Sequence, residues 1–401
     1  MKRLSVAWLA GCILMAAGAA RGDDWLGWRG PGANGISKES GWNPASLVGA
    51  KAKWRIDVGE GYSMVAVKGS HLYTMGNVDG QDIVYCLDAG TGKELWRYAY
   101  SCGKGSYPGP RATPLIEGSF LYTCSREGHV FCFDAATGKV KWQREIAKDP
   151  GAKVPTWGFA NSPRIVGNLL LLNAGKSGLA LNKADGAVVW SSGEGPGAYA
   201  SAVVFKAGET DCVAIFGQKA IYGVRLKDGK VLWSYPWQTS YDVHAADPIA
   251  SGGEVFIASG YGTGCALLRI EGAEAKPVWR NELLRAHFSS AVLIDGYLYG
   301  VDGNAGGGSL RCIEWKTGKE VWAKDLGFGA LMAADGKLIV LNEKGRLFVV
   351  EASPAGFKEL AQGDVAVPPA KGKWWNMPVL SNGTIYCRNS DGTLVALPVG
   401  K

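Results

Sequence analysis

Leu87-Asp-Ala-Gly-Thr-Gly-Lys-Glu-Leu-Trp96 returns along the chain as Phe133-Asp-Ala-Ala-Thr-Gly-Lys-Val-Lys-Trp142, Leu181-Asn-Lys-Ala-Asp-Gly-Ala-Val-Val-Trp190, Val224-Arg-Leu-Lys-Asp-Gly-Lys-Val-Leu-Trp233 and Ile313-Glu-Trp-Lys-Thr-Gly-Lys-Glu-Val-Trp322. Trp54 and Trp279 end the same kind of strand after poorer turns, and the seven tryptophans stand 42, 46, 48, 43, 46 and 43 residues apart. A period of this size, with about four strands per unit, is the signature of propeller blades. Runs such as Ser119-Phe-Leu-Tyr-Thr and Val130-Phe-Cys-Phe carry the β-branched and aromatic content of strands. The Thr-Gly or Asp-Gly pair supplies a left-handed turn position that glycine adopts at little cost. The tryptophan that follows is expected on the outer part of the blade, packed against its neighbour.

Counting outward from the repeat predicts an all-β fold, an eight-bladed propeller of four-stranded antiparallel blades. Six blades end in Trp96, Trp142, Trp190, Trp233, Trp279 and Trp322. A worn seventh spans Leu338 to Leu360, with Lys358-Glu-Leu in place of the tryptophan strand. The eighth begins at Met377 and stops at Leu397 after three strands, and its fourth is available at Ala52-Lys-Trp-Arg-Ile-Asp-Val. A strand from the chain's beginning that completes the last blade leaves no open sheet edge. The domain reading is a signal peptide over 1–22, a lead-in over 23–51 and one propeller over 52–401.

Composition agrees: 401 residues with 58 Gly, 16 Trp and 15 Tyr, but only 20% charged residues, describe many short strands joined by tight turns. The formal charge is +7, and removing Lys2, Arg3 and Arg21 leaves about +4 without any basic run of the kind that binds nucleic acid. Met1-Lys-Arg followed by an apolar stretch from Leu4 to Ala20 has the order of an export signal, which places the protein in the periplasm or cell envelope. That stretch is shorter than the ~20 residues a spanning helix needs, so no transmembrane segment is expected. Leu9-Ala-Gly-Cys12 also matches a lipoprotein cleavage box, in which Cys12 would carry a lipid. Cys86, Cys132 and Cys312 share one slot of the repeat, where other copies carry Ala180 or Gly223. That slot asks for a small apolar side chain, as a buried free thiol provides. No Cys/His set has zinc spacing along the chain.

The repeat and its period resemble the pyrroloquinoline-quinone-like (PQQ-like) repeat of the quinoprotein alcohol dehydrogenase-like propellers. The resemblance covers nearly all of residues 52–400. The family includes cofactor-dependent dehydrogenases and also the cofactor-free scaffold lipoprotein of outer-membrane β-barrel assembly. It therefore implies a fold and leaves activity to the site. Ligand chemistry in such rings belongs to one mouth of the channel. The loops expected there are rich: Gly109-Pro-Arg111, Thr156-Trp157-Gly-Phe-Ala-Asn161, Tyr241-Asp242-Val-His244-Ala-Ala-Asp247, Arg285-Ala-His287-Phe and Lys373-Trp-Trp375-Asn. Arg, His, Asp and Asn among aromatic rings suggest a polar pocket walled by π-faces.

Were the family's quinone bound with calcium, the resemblance would make Trp157 or Trp375 the plate beneath it, Arg111 its cation, and Asp247 or His244 the base. Asn161, Asp242, Glu127 and Asn77 would offer oxygens to the calcium, with Tyr241 and His287 completing the wall. Against this, the chain lacks the adjacent Cys-Cys pair of the family's alcohol dehydrogenases and a haem attachment motif, and without a Gly-x-Ser-x-Gly elbow a hydrolase is a distant third reading. The sequence is therefore read first as a non-catalytic, exported binding or scaffold protein, taking a protein or small-molecule ligand at the mouth. A PQQ-dependent alcohol or sugar dehydrogenase is the alternative.

Overall fold

The computed structural model describes residues 22–193, 195–366 and 369–400. The expected signal peptide, except for Gly22, and Cys12 lie outside them. Eight antiparallel four-stranded meanders follow one another, at 66–101, 115–145, 164–191, 203–236, 249–281, 292–325, 329–364 and 379–398. They are numbered blades 1 to 8 here. Blade 8 supplies three strands of its own, and Trp54–Asp57 is the fourth, with Trp54 opposite Ala396 and Ile56 opposite Leu394. The ring therefore closes as the sequence predicts.

The repeated decapeptide is a device for locking one blade to the next at six of the eight joints, Trp233 and the worn blade 7 being the exceptions. Asp88 Oδ1 accepts from the amide and hydroxyl of Thr91 at 2.8 and 2.7 Å, and this tightens the turn that puts Gly92 at φ +73°. A Cβ on Gly92 would lie 2.8 Å from the Trp54 ring of the preceding blade, and one on Gly138 would lie 2.6 Å from Trp96. Glycine is required there both for its conformation and for its bare face. The tryptophan answers with its indole N–H. Trp54 donates to Ala89 O at 3.0 Å, Trp96 to Ala135 O, Trp142 to Lys183 O, Trp190 to Leu226 O, Trp279 to Trp315 O and Trp322 to Ser353 O, each in the following blade. Each lock combines burial of a large ring with a hydrogen bond worth about 1 kcal/mol net.

The small slot has the same origin. In blades 1 to 7 a β-bulge falls near the start of the outermost strand, and in the blades that carry a tryptophan it sets that residue opposite a chosen partner. Trp96 faces Cys86, Trp142 faces Cys132, Trp190 faces Ala180, Trp233 faces Gly223 and Trp322 faces Cys312. A Cβ on Gly223 would collide with Trp233. All eight cysteines of the described residues are buried free thiols, as the packing argument expects for these three.

The lead-in is the part of the fold the repeat does not foretell. Trp25 exchanges backbone hydrogen bonds with Val67 in the first strand of blade 1, and Leu26 O accepts from Ile116 in that of blade 2. Ile36–Ser37 pairs in parallel with Gly329–Ala334, the first strand of blade 7. A single short segment that touches first strands around the ring must lie on its axis. It starts at one face, where Asp24 caps Gly69, rises to Trp28 and Arg29 beside Asp247, and returns to that face, where Gly41 donates to Asp335. The lead-in plugs the channel from below.

Candidate functional site

Above the plug lies a cavity of about 430 Å³. All eight blades contribute to its wall, chiefly through the loops that precede their first strands. Tyr62, Arg111, Trp157, Tyr199, Asp247, His287 and Trp375 come from seven such loops, while Ala330 belongs to the first strand of blade 7. Trp28 and Arg29 of the lead-in form the floor. The plug thus turns an open channel into a cup with one opening.

An aromatic belt rings that opening. Tyr241 meets Tyr261 at 5.3 Å between ring centroids, Tyr261 meets His287 at 4.6 Å, and His287 stacks on Phe288 at 3.7 Å. Phe288 meets Trp375 at 5.1 Å, and Trp375 stacks on Tyr62 at 6.0 Å. Tyr107 continues the belt to Trp157. Tyr107, Tyr241, Asp242 and Tyr261 have φ of +55°, +62°, +56° and +54°, a conformation that non-glycine residues adopt seldom and that gathers at functional sites. Lys373 Nζ lies 4.2 Å from the centre of the Trp375 ring, and the Arg111 guanidinium lies 6.0 Å from that of Tyr62.

Burial tunes the charges. Burial, with Arg126 nearby, brings the Arg111 guanidinium down to about 10, and burial alone brings His287 down to about 4, so His287 is neutral at pH 7. Asp247 is pushed up from the usual carboxylate range by burial, against the pull of Arg29. Its oxygens accept from Trp28 Nε1 and from the Ser201 amide, both at 2.7 Å, and Arg29 Nε stands 3.9 Å away. Several buried polar atoms of the wall have no hydrogen-bond partner among the described residues: Arg29 Nη1, Arg111 Nη1, His287 Nδ1, Ser289 Oγ and Asn304 Oδ1. Unpaired polar atoms are rare in folded interiors, so a group of them around one cavity describes the complement of a ligand.

Of the nine residues picked out in the sequence, Arg111, Trp157, Asp247, His287 and Trp375 meet at this cup. Tyr241 is on the rim, 71% exposed and packed on Tyr261. Three lie elsewhere. His244 is enclosed, stacked on Phe216 at 4.3 Å, with Nδ1 2.6 Å from Gly217 O and Nε2 3.0 Å from Thr239 Oγ1. Asn161 is bound to the backbone of Asn173, and Asp242 pairs with Lys219 at 2.7 Å. Trp237 and Trp374 are buried packing residues, whereas Trp157 and Trp375 line the cup. Sequence reasoning missed Trp28 and Arg29. Their signal was present in Trp25-Leu-Gly-Trp28-Arg29, two large aromatic residues and an arginine with no place in the repeat.

The residues only partly suit the family's cofactor. Aromatic walls and Arg111 fit a flat polyanion, but calcium needs several oxygen ligands. Among the described residues the cup has one acidic side chain, Asp247, and its oxygens are already engaged. Asn77, near the end of the second strand of blade 1, is committed to Asp82 and Cys102 O, so the oxygen set read from the sequence does not assemble.

The fold defines the class: an eight-bladed propeller of PQQ-like repeats whose channel is closed at one end. The family described as outer membrane protein assembly factor BamB matches residues 80–324, more than half of the chain, and the chain belongs to that family. Its structure is similar to that of BamB from Moraxella catarrhalis, with TM-score 0.64 and 16% identity over 87% of this chain and 99% of that one. It is also similar to quinohemoprotein alcohol dehydrogenase from Comamonas testosteroni, with TM-score 0.70 and 14% identity over 96% and 82%. The computationally designed Ika8 protein aligns with TM-score 0.61 and 12% identity over 89% and 100%. No curated protein matches the chain. At these identities the likenesses concern the fold.

Proposed function

We propose that this chain is an exported, non-catalytic binding propeller whose cup takes a carboxylate-bearing ligand with a flat face, presented by a peptide or by a small molecule. The observation that carries the reading is the set of unpartnered polar atoms on the wall, led by the cationic Arg111 Nη1, beneath an aromatic belt. A carboxylate would satisfy the donors, and a flat group would stack on Trp375, Trp157 or Tyr62. Membership in the assembly-factor family supports a binding role, and an export signal fits that setting. The residues named as bases favour binding over chemistry. His244 is enclosed, and Asp247 holds the floor in place.

Tryptophan fluorescence titrated with aromatic carboxylates, and with peptides ending in an aromatic residue, tests the reading. Saturable quenching is expected, and Arg111→Ala or Trp375→Ala should weaken it at least about tenfold, a loss of about 1.4 kcal/mol, with an unchanged unfolding midpoint. An equal loss from a substitution on the plugged face would overturn it. Calcium-dependent binding of PQQ with dye-linked alcohol oxidation would favour the dehydrogenase alternative instead.

A further inference from the structure

Away from the cup, folding gathers a metal-ligand set that spacing along the chain conceals. Cys102 follows the last strand of blade 1, and Glu127 and His129 sit at the turn between the second and third strands of blade 2. Their ligand atoms all lie within 4.8 Å of one another. Asn77 Nδ2 donates both to Cys102 O at 3.0 Å and to Asp82 Oδ1 at 2.7 Å, which holds the Asp82 carboxylate and Cys102 side by side. Asp82 is fully buried, and beyond Asn77 its carboxyl meets, among the described residues, only the Cys102 thiol, a weak donor. A carboxylate oxygen in that state costs several kcal/mol unless something cationic faces it.

The surroundings are those of a prepared ligand set. Ser125 Oγ stands 3.0 Å from His129 Nδ1 and restrains the ring. Ser125 Oγ also accepts from the amides of Glu127 and His129, and Glu127 Oε1 accepts from the Gly103 amide at 3.0 Å. An outer groove between the last strands of blades 1 and 2, lined by Tyr100 and His129, gives an ion a way in.

We propose that Cys102, Glu127 and His129, with Asp82 beside the thiol, bind one zinc-class divalent ion that staples blade 1 to blade 2. The donor chemistry sets the class. A thiolate, an imidazole and carboxylates suit a borderline-soft ion, whereas calcium and magnesium take oxygen alone. Zinc bonds of about 2.0–2.3 Å need donor atoms roughly 3.3–3.8 Å apart, so the side chains must close in by about 1 Å. Cys102, Glu127 and His129 give three donors within reach of one another, the fourth position falls to Asp82 on closing in or to a water, and binding releases the thiol proton to solvent. The inference is independent of the cup.

The test uses the full chain, freed of metal with a chelator and then titrated with Co²⁺. We expect uptake of one ion per chain, a sulfur-to-cobalt charge-transfer band in the near ultraviolet, displacement by Zn²⁺, and a raised unfolding midpoint with Zn²⁺ present. Cys102→Ser should abolish the band, and His129→Gln and Glu127→Gln should each weaken uptake at least about tenfold. His129 and Glu127 are accessible to solvent, so their variants report even if the buried Cys102→Ser chain fails to fold. The absence of the band in the wild-type chain, or uptake unchanged in His129→Gln and Glu127→Gln, would overturn the proposal.

Discussion

The outer girdle and the axis of this ring are built on opposite plans. On the girdle one solution is used again and again. An aspartate–threonine turn presents a glycine to the preceding blade's tryptophan, whose indole bonds back across the gap. On the axis nothing repeats. Trp28 and Arg29, a single buried carboxylate and eight unlike loops make one cup. A repeated lock distributes stability over many equivalent joints, whereas a unique site concentrates polar groups that the fold alone does not require.

Breaking the lock that closes the ring should have the largest effect. Trp54→Ala removes the ring that packs on Gly92 and the bond to Ala89 O, and should cost about 3–5 kcal/mol. The shift of the denaturant midpoint measures it. Arg388, also at this joint, should make the loss felt beyond the outer edge. It is a fully buried cation whose guanidinium donates to Gly59 O and Ser63 O of the chain entering blade 1 and to Met75 O in that blade's second strand.

Arg29→Met, on the axis, should cost about 3 kcal/mol at neutral pH, because it strands Asp247 buried without its cation. Losing Arg29 removes a pull that lowers the Asp247 pKa, so the carboxyl should take up a proton more readily in the variant. The penalty should therefore shrink as pH falls, whereas the Trp54→Ala penalty should hold steady. Unfolding curves of the two variants over an acid series make the comparison.

Histidine titration gives the smallest contrast. Burial holds His244 and His287 down to about 4, against about 6.5 in an unfolded chain. The unfolded state therefore binds more protons between those values. The stability each contributes is complete above about pH 6.5 and is lost as pH falls toward about 4, at no more than about 1.4 kcal/mol per pH unit for each residue. His244→Gln should flatten that slope, as the wild-type and variant midpoints compared between pH 7 and pH 4 will show. Ligand held at His287 should flatten the remainder.

The same contrast explains what the sequence discloses. Leu87–Trp96 and its copies are legible because most joints satisfy the same sterics, so the constraint is written many times. Even the Cys86, Cys132 and Cys312 slot is readable, since a tryptophan faces it across the ladder. At the mouth, loop position brings Arg111, Trp157, His287 and Trp375 to the wall of the cup. His244 and Asn161 share those loops but turn into the core to meet Gly217 and Asn173, an orientation that residue type does not encode. Trp28 and Arg29 were hidden because their partners, Asp247 and Ala291 O, lie more than 200 residues away and occur once. Cys102 and His129 are only 27 residues apart, and they were hidden because the packing of one blade on the next brings them together.

Hydrogen exchange of the native chain, followed by mass spectrometry over residues 23–37, tests the plugged axis most directly. Trp25, Gly30, Ala33 and Gly35 all donate their amides to backbone partners, so this peptide should exchange as slowly as the blade strands. Complete exchange at the earliest time point, while the blades stay protected, would mean that the lead-in is a free tail and the cup has no floor.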